Sequence, residues 1–408
     1  MWYNMGFSHS PKIATDNLVF YYDTGNSLKS YKGEPTTNYV TDSSILQNGW
    51  NGSYTLLDSS TKSFQLNVNN FHTDGAGWRS FMWDMRSYAG SAVTISATVE
   101  VPNDSPGNFA WVMIGQANTR DTGTTTATYL GYSSASERYQ KSTSNTERIT
   151  WSGIVGNTGT ANQPNGIIGF TVWYNGGTIG TDSFIKVSNV QIELKSHATP
   201  FVNGTRSVTD SLLDLTGTKT INLANSSFTS DALTAFDGSG DYFDLGSDQV
   251  FKTTGGWTVE SVVKYDVVAG GYNNVTSPAN FIGSDTNAYN SWYWSVLSNK
   301  LALWNKSPGV WKYGSTTLQA NTWYHTVLVC YDSGTQYQMY LNGVAEGGDH
   351  TTYSWNAAYA GLRVRYLGAA GSLRYTNGTM PTMKIYDRAL SAEEVLQNFN
   401  ATRSRFGM

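Results

Sequence analysis

Gly378-Thr-Met-Pro-Thr-Met-Lys-Ile-Tyr-Asp-Arg-Ala-Leu-Ser-Ala-Glu-Glu-Val-Leu-Gln-Asn-Phe-Asn400 contains the transition on which the fold turns. Met383 and Ile385, with Leu390 behind them, read as one strand running into a turn. Ser391 and Glu394 stand three apart, the spacing at which a hydroxyl caps the N3 amide while the carboxylate reaches back to the cap's own N–H. A short helix is therefore predicted to start here. Val395, Leu396 and Phe399 recur at helical spacing and give it one apolar stripe. No other stretch of the 408 residues reads convincingly as helix. A helix this short is marginal alone in water, so a large β-structure is expected to hold it.

Composition agrees. The chain has 41 Gly, 26 Tyr and 14 Trp but only 14% charged residues. Aromatic and β-branched residues fit half-buried pleated surfaces, while frequent Gly, Asn, Ser and Thr supply turns, so the reading is all-β. The length suits two or three domains, each able to bury a sizeable core. A net charge of -4 without basic runs argues against a nucleic-acid partner. No segment approaches 18 apolar residues, and the N-terminus lacks the charged and apolar regions of a signal peptide, so neither membrane insertion nor a leader is expected. The one cysteine, Cys330, lies in an apolar run and reads as a small buried hydrophobe.

Along the chain, residues 1–13 are polar and aromatic without period and read as an N-terminal arm. Residues 14–34 hold a first strand, Asn17-Leu-Val-Phe-Tyr-Tyr-Asp, and a Thr24-Gly-Asn turn. Residues 35–203 carry alternating runs such as Ala92-Val-Thr-Ile-Ser-Ala-Thr-Val and Ile167-Ile-Gly-Phe-Thr-Val-Trp-Tyr, closed by Phe184-Ile-Lys-Val-Ser-Asn-Val-Gln-Ile-Glu. Strands this dense between Gly and Asn clusters predict a jelly-roll sandwich. Residues 204–408 hold a second sandwich. In it the Asn342-Gly343 pair suits a two-residue hairpin, because both central positions of a type I′ turn want positive φ.

The closing strand, turn and helix resemble the laminin-G-like branch of the concanavalin A-like lectin/glucanase superfamily. Leu18, Val19, Tyr21, Asp23, Gly25, Asn26, Ser30 and Tyr31 match the opening pattern of such domains in tailed-bacteriophage virion proteins. The next expected word, Leu213-Asp-Leu-Thr-Gly, comes about 180 residues later, so residues 35–203 read as an insertion. Ala235-Phe-Asp-Gly-Ser-Gly-Asp-Tyr-Phe, Trp257-Thr-Val-Glu-Ser-Val-Val-Lys, Asn321-Thr-Trp-Tyr-His-Thr-Val and Gln338-Met-Tyr-Leu-Asn-Gly follow in family order, with Val262 where an aromatic is usual. The inserted segment resembles carbohydrate-binding-module-like jelly rolls of phage tail proteins, through Val190-Gln-Ile-Glu-Leu and Ala198-Thr-Pro-Phe-Val-Asn-Gly-Thr-Arg. The resemblance implies a location in the virion, contacts with other virion proteins and assembly as a homo-oligomer.

Several residues are candidates for chemistry. Asp237 and Asp241 flank Gly238-Ser-Gly; closely spaced carboxylates and turn carbonyls suit Ca2+. The plainer reading is that Asp237 caps the turn and Asp241 is solvated. Otherwise no cofactor is implied. Cleaving glycans would need two positioned carboxylates, and the glucanase "E-x-D-x-x-E" strand is absent. Glu260 is alone on its strand, and the five histidines are scattered without G-x-S-x-G or H-E-x-x-H. The binding signal is aromatic: Trp292 and Trp294, with Tyr293 between them, then Trp304, Trp311 and Tyr313. Flat rings beside amides and hydroxyls suit sugars. Strand alternation places Trp292 and Trp294 on one face and Tyr293 on the other, so some of these rings are core. Trp257 and Trp323 read as core. In the insert, Trp78 and Trp83 either line a groove or fill the jelly roll's core.

The expectation is a non-enzymatic tail or head appendage, as in a tail fiber, presenting lectin-like modules to host-surface glycans. Its rivals are a structural decoration protein without sugar binding and, third, a polysaccharide depolymerase.

Overall fold

The computed structural model describes residues 12–41, 46–47, 55–67, 76–100, 109–118, 135–141, 146–157, 163–175, 184–228, 234–253, 255–268, 280–283, 292–305, 310–331, 336–347, 362–370 and 374–408. Residues 1–11, most of the expected arm, lie outside them. The chain divides into two compact units, Met1–Glu34 with Ser207–Met408, and Pro35–Arg206. The first is discontinuous in sequence, and the second is the stretch between its two pieces.

The discontinuous unit packs two antiparallel sheets on one apolar core, the sandwich expected of its alternating strands. The eight-stranded sheet runs in the order Ser227–Phe228, Thr234–Asp237, Asn377–Tyr386, Trp257–Tyr265, Trp323–Tyr331, Gln336–Leu341, Val344–Glu346, and Leu18–Asp23 also pairs with Asn377–Tyr386. First and last strands therefore meet, with Tyr22 opposite Met383. The late Leu213-Asp-Leu-Thr-Gly turn returns to the same place. Asp214 accepts from the Tyr21 amide at 2.9 Å and the Thr216 and Lys219 amides at 3.0 Å, and Leu215 N–H donates to Tyr21 O at 2.7 Å. One carboxylate thus satisfies a whole turn, which is why an Asp is wanted there. Asn342 and Gly343 take φ of 50° and 80°, the hairpin geometry their sequence predicts.

The helix, α1 (Ala392–Phe406), begins with the capping box: the Glu394 amide donates to Ser391 Oγ at 3.3 Å, and Glu394 Oε2 accepts from the Ser391 amide at 2.9 Å. It ends at Gly407 in the left-handed region, φ 69°. Its 15 residues exceed the short helix expected, and its buried side differs too. Val395 and Asn398 are buried, Phe399 is half-buried, and Leu396 is 46% exposed, because it lies about 100° around the helix from Val395. Ser391→Ala is expected to lower the unit's stability by about 1 kcal/mol, read as a shift in denaturation midpoint without a change in slope. An unshifted midpoint would show that the cap contributes nothing.

Helix α1 covers the outer face of the eight-stranded sheet. Val327, Val329, Tyr386 and Val395 form a second apolar layer there with Ala14, whose amide donates to Asn398 Oδ1 at 2.7 Å. Trp323, expected in the core, is only half-buried, since its strand position lies on this outer face; its ring packs 4.9 Å from that of Phe406. Cys330 and Trp257 are core residues.

The continuous unit is a sandwich of two five-stranded sheets. One runs Thr146–Ile154, Ala92–Glu100, Phe184–Glu193, Ser63–Asn67, Thr55–Asp58, and the other Leu46–Gln47, Ala76–Asp84, Pro164–Asn175, Phe109–Asn118, Ala135–Lys141. Phe64, Ile95 and Val99 from the first meet Phe81, Trp83, Ile114 and Phe170 from the second. The closing Val-Gln-Ile-Glu words are explained by Glu193. Its buried carboxylate accepts from Thr36 Oγ1 at 2.9 Å and from Gln191 Nε2, the Thr199 amide and Thr199 Oγ1, each at 2.8 Å. Four donors compensate its desolvation.

Candidate functional site

The discontinuous unit's second sheet has seven strands in the order Asn222–Asn225, Tyr242–Lys252, Leu362–Leu367, Asn280–Gly283, Trp292–Leu297, Lys300–Asn305, Val310–Tyr313. One register row, Phe243, Leu367, Ile282, Trp294 and Leu303, supplies core residues: Phe243, Leu367, Trp294 and Leu303 all belong to the buried cluster between the sheets. The neighbouring row is Asp244, Tyr366, Gly283, Tyr293, Trp304 and Trp311. Residues in register share a face and successive residues alternate, so this second row lies on the face away from the core. Among the described residues no helix covers that face.

At one end of the row the side chains form a compact aromatic and ionic cluster. The Tyr242 and Tyr366 rings meet edge-on at 4.9 Å, and Tyr375 stacks beside Tyr242 at 6.3 Å. The Arg365 guanidinium lies 4.8 Å from the Tyr366 ring centre, and its Nε is 3.4 Å from Asp244 Oδ1. Asp244 also accepts from the Gly246 amide at 2.8 Å. Tyr242, Tyr366, Tyr375, Arg365 and Asp244 are all half-buried. At the other end Trp311 is half-buried and Tyr313, on the edge strand, is 40% exposed. Such a surface offers ring faces with acceptors and donors beside them, the combination that holds a sugar by its C–H face and its hydroxyls.

The aromatic candidates separate. Trp294 is 0% exposed and Trp83 is 1% exposed, the latter with its Nε1–H donating to Thr41 O at 3.3 Å; both are core residues rather than ligand contacts. Trp292 shares the core-side parity of Trp294, while Trp304 and Trp311 share the outer row. The side chains of Trp78, Trp292, Tyr293 and Trp304 lie outside the described residues. Tyr242, Tyr366, Arg365 and Asp244 were not singled out from sequence. A Tyr366 that pairs with Asp244 across a sheet leaves no local signal, because the two are joined only by register.

Asp237 and Asp241 serve their own turn. Asp237 Oδ1 accepts from the Ser239 amide at 2.6 Å, and Asp241 Oδ2 from the Asp237 amide at 3.0 Å. Asp241 is buried, not solvated as the plainer reading had it, because it is folded back under that turn. Among the described residues no three His, Cys, Asp or Glu side chains are grouped to hold a metal.

Glu260, alone on its strand in sequence, is paired in space. It lies on the outer face of the eight-stranded sheet beneath α1, with Lys384 Nζ 2.5 Å from Oε1 and Asn398 Nδ2 donating to Oε2 at 2.5 Å. His325 Nε2 is 3.1 Å from Oε1, close enough for electrostatic attraction but off the line of a hydrogen bond. Burial opposes the charged carboxylate most strongly. The Lys384 ammonium, with His325 beside it, outweighs that cost and holds Glu260 well below the usual carboxylate range. Glu260 and His325 are 0% exposed, so no substrate reaches this acid. Glu346, also buried, accepts from the Thr316 amide at 2.8 Å and Thr316 Oγ1 at 2.6 Å. These carboxylates are structural.

Two packed antiparallel sheets, one covered by a capped C-terminal helix and the other with an aromatic outer row, define a lectin-like sandwich. Residues 237–396 match the model of the concanavalin A-like lectin/glucanases superfamily, and this part of the chain is a domain of that kind. Among solved structures, the chain is similar to a Trypanosoma rangeli sialidase (17% identity, TM-score 0.34, covering 48% of this chain and 31% of that one). It is also similar to domain 4 of AbnA, an extracellular arabinanase from Geobacillus stearothermophilus, in complex with arabinotriose (17%, 0.34, 47% and 92%). A third is the receptor binding domain of botulinum neurotoxin type G (14%, 0.32, 47% and 48%). The chain thus spans about a third of the sialidase's length. No curated protein matches it. Among the described residues no helix is long and apolar enough to cross a membrane.

Proposed function

We propose that this chain is a non-enzymatic virion component of a tailed bacteriophage, a tail or head appendage, and that it binds host-surface glycans through the outer face of its seven-stranded sheet. The observation that carries this reading is the row from Asp244 and Tyr366 to Trp311, with the Tyr242, Tyr375 and Arg365 side chains around its first members. Half-buried rings around an Arg–Asp pair suit sugars better than they suit a flat apolar contact, where leucines and methionines would be expected. Binding rather than cleavage is supported by Glu193, Glu260 and Glu346, whose oxygens are engaged inside the fold. The phage setting and the contacts with other virion proteins rest on the resemblance of the opening pattern at Leu18–Tyr31 and of the closing words of the inserted segment.

The test is equilibrium binding of the purified chain to extracted bacterial surface polysaccharide. Saturable binding is expected, lowered about tenfold or more by Trp311→Ala or Tyr366→Ala, as for an aromatic at the centre of a contact. A chelator should leave it unchanged, since Asp237 and Asp241 serve their turn. Absence of saturable binding, with assembly onto particles intact, would favour a structural decoration role. A specific feature supports that second reading: Val344, 65% exposed, adjoins Gly343, where an added Cβ would lie 3.0 Å from the exposed Leu396 of α1, so an apolar spot sits at this edge.

A further inference from the structure

We propose that Lys384 and Asn398 react with each other inside the folded unit, forming a side-chain amide (isopeptide) bond with release of ammonia, and that Glu260 is the acid–base group of that reaction. The observation is one shared carboxylate: Glu260 Oε1 accepts from Lys384 Nζ and Oε2 from Asn398 Nδ2, each at 2.5 Å. A nucleophile and a leaving nitrogen are thus bridged by a single proton carrier, and the carbon to be attacked is one bond from that leaving nitrogen. The reactants come from different elements. Lys384 lies on the last strand, directly opposite Glu260 in register, and Asn398 lies on α1.

All three side chains are buried, although Lys and Glu rarely are, and a helix position turned onto a sheet ordinarily takes an apolar residue, as Val395 does. Their surroundings are apolar and aromatic. The register row reads Val327, Glu260, Lys384, Tyr21, and Lys384 Nζ is 5.5 Å from the centre of the Tyr21 ring. In such a site ammonium and carboxylate both lose hydration, and burial is the largest influence on Glu260, acting against its charge. The ion pair is the resting state. Passing one proton across the short hydrogen bond from Nζ to Oε1 removes both charges and leaves Lys384 as a neutral amine, its nucleophilic form.

The Asn398 amide is oriented by its partners. The Ala14 amide can only donate, and it does so to Oδ1 at 2.7 Å, so Nδ2 faces Glu260 and also donates to Tyr386 Oη at 3.0 Å. Lys384 Nζ attacks Asn398 Cγ, and the carbonyl electron pair moves onto Oδ1, where the Ala14 N–H meets the developing charge. Glu260 then gives the proton it took from Nζ to Nδ2 and takes a second proton from Nζ. The Oδ1 pair returns, the Cγ–Nδ2 bond breaks and ammonia leaves. Lys384 and Asn398 are now one amide and Glu260 is a neutral acid, so no buried charge remains. Glu260 is sealed from any outside substrate, but both reactants are already within the unit. The bond ties α1 to the strand beneath it; until it forms, the stability of this layer is that of the Glu260–Lys384 ion pair.

The test is mass spectrometry of the full chain, folded, incubated and then denatured for measurement. Its mass is expected to lie one ammonia below that of its sequence. Trypsin should no longer cut after Lys384 and should release a branched peptide in which Tyr375–Arg388 is joined to Ala389–Arg403. Lys384→Met and Glu260→Gln should each abolish both signs, and Asn398→Asp should give the same branch with loss of water in place of ammonia. The wild-type measurement needs no variant, so a substitution that fails to fold does not shield the proposal. A folded wild-type chain that keeps its full sequence mass, an ammonia loss without the branched peptide, or a branch that persists in Glu260→Gln overturns it.

Discussion

Glu260→Ala is expected to destabilise the discontinuous unit by about 3–5 kcal/mol, the cost of leaving a buried partner charge uncompensated. The orphan is Lys384, 1% exposed and 2.5 Å from Glu260 Oε1 in the native protein. Asn398 Nδ2 loses one of its two acceptors at the same time, keeping Tyr386 Oη at 3.0 Å. The same carboxylate sets a pH dependence. Its folded pKa is depressed from 4.5 to about 2. Its contribution is therefore fully present above its unfolded value and is lost as pH falls through the folded one. At about 1.36 kcal/mol per unit this amounts to roughly 3 kcal/mol between pH 4.5 and 2. Denaturant titrations across that window check both statements, with Glu260→Gln expected to flatten this part of the dependence. Replacing both members, Glu260→Met with Lys384→Met, should restore most of the stability, because no buried charge then remains. A Glu260→Ala protein as stable as wild type would show that the pair is solvated in solution.

Trp294→Ala is expected to cost about 3–5 kcal/mol of stability through the cavity it leaves, as for other buried aromatics. Trp294 is in register with Ile282 and Leu303 and belongs to the core cluster with Phe243 and Leu367. Tyr366→Ala, on the half-buried outer face, is expected to cost no more than about 1 kcal/mol while removing a ring of the proposed glycan site. The two variants should thus separate: one loses the fold with glycan binding following only as folded protein is lost, and the other loses binding alone. Thermal unfolding and polysaccharide binding measured on the same preparations check this. A stable Trp294→Ala protein with abolished binding would return Trp294 to the ligand face.

These two sites show what could be read from sequence and what could not. Helix α1 was legible from Ser391 and Glu394 because a capping box is written within four residues. The Asn342-Gly343 hairpin is equally local. Alternation was enough to say that Tyr293 and Trp294 face opposite ways, but not which of them faces the core. That is settled by Leu303 and by Ile282, from which Leu367 and Phe243 follow, all brought alongside by strand register. Likewise Glu260 reads as a solitary charge because Lys384 lies 124 positions away and Asn398 138. The Tyr242–Tyr366–Arg365–Asp244 cluster was invisible for the same reason: its members meet across strands that are distant in the chain. Local physics names turns, caps and the period of a strand; which face is buried and which charges meet depends on long-range pairing.

The most direct test of glycan recognition is a crystal structure of the chain with an oligosaccharide prepared from a polysaccharide it binds. The expected result is a sugar ring on the outer face of the seven-stranded sheet, against Tyr366 or Trp311, with hydroxyls reaching Arg365 or Asp244. Sugar density only elsewhere on this unit, or a Tyr366 face buried against a second protein chain, would contradict it.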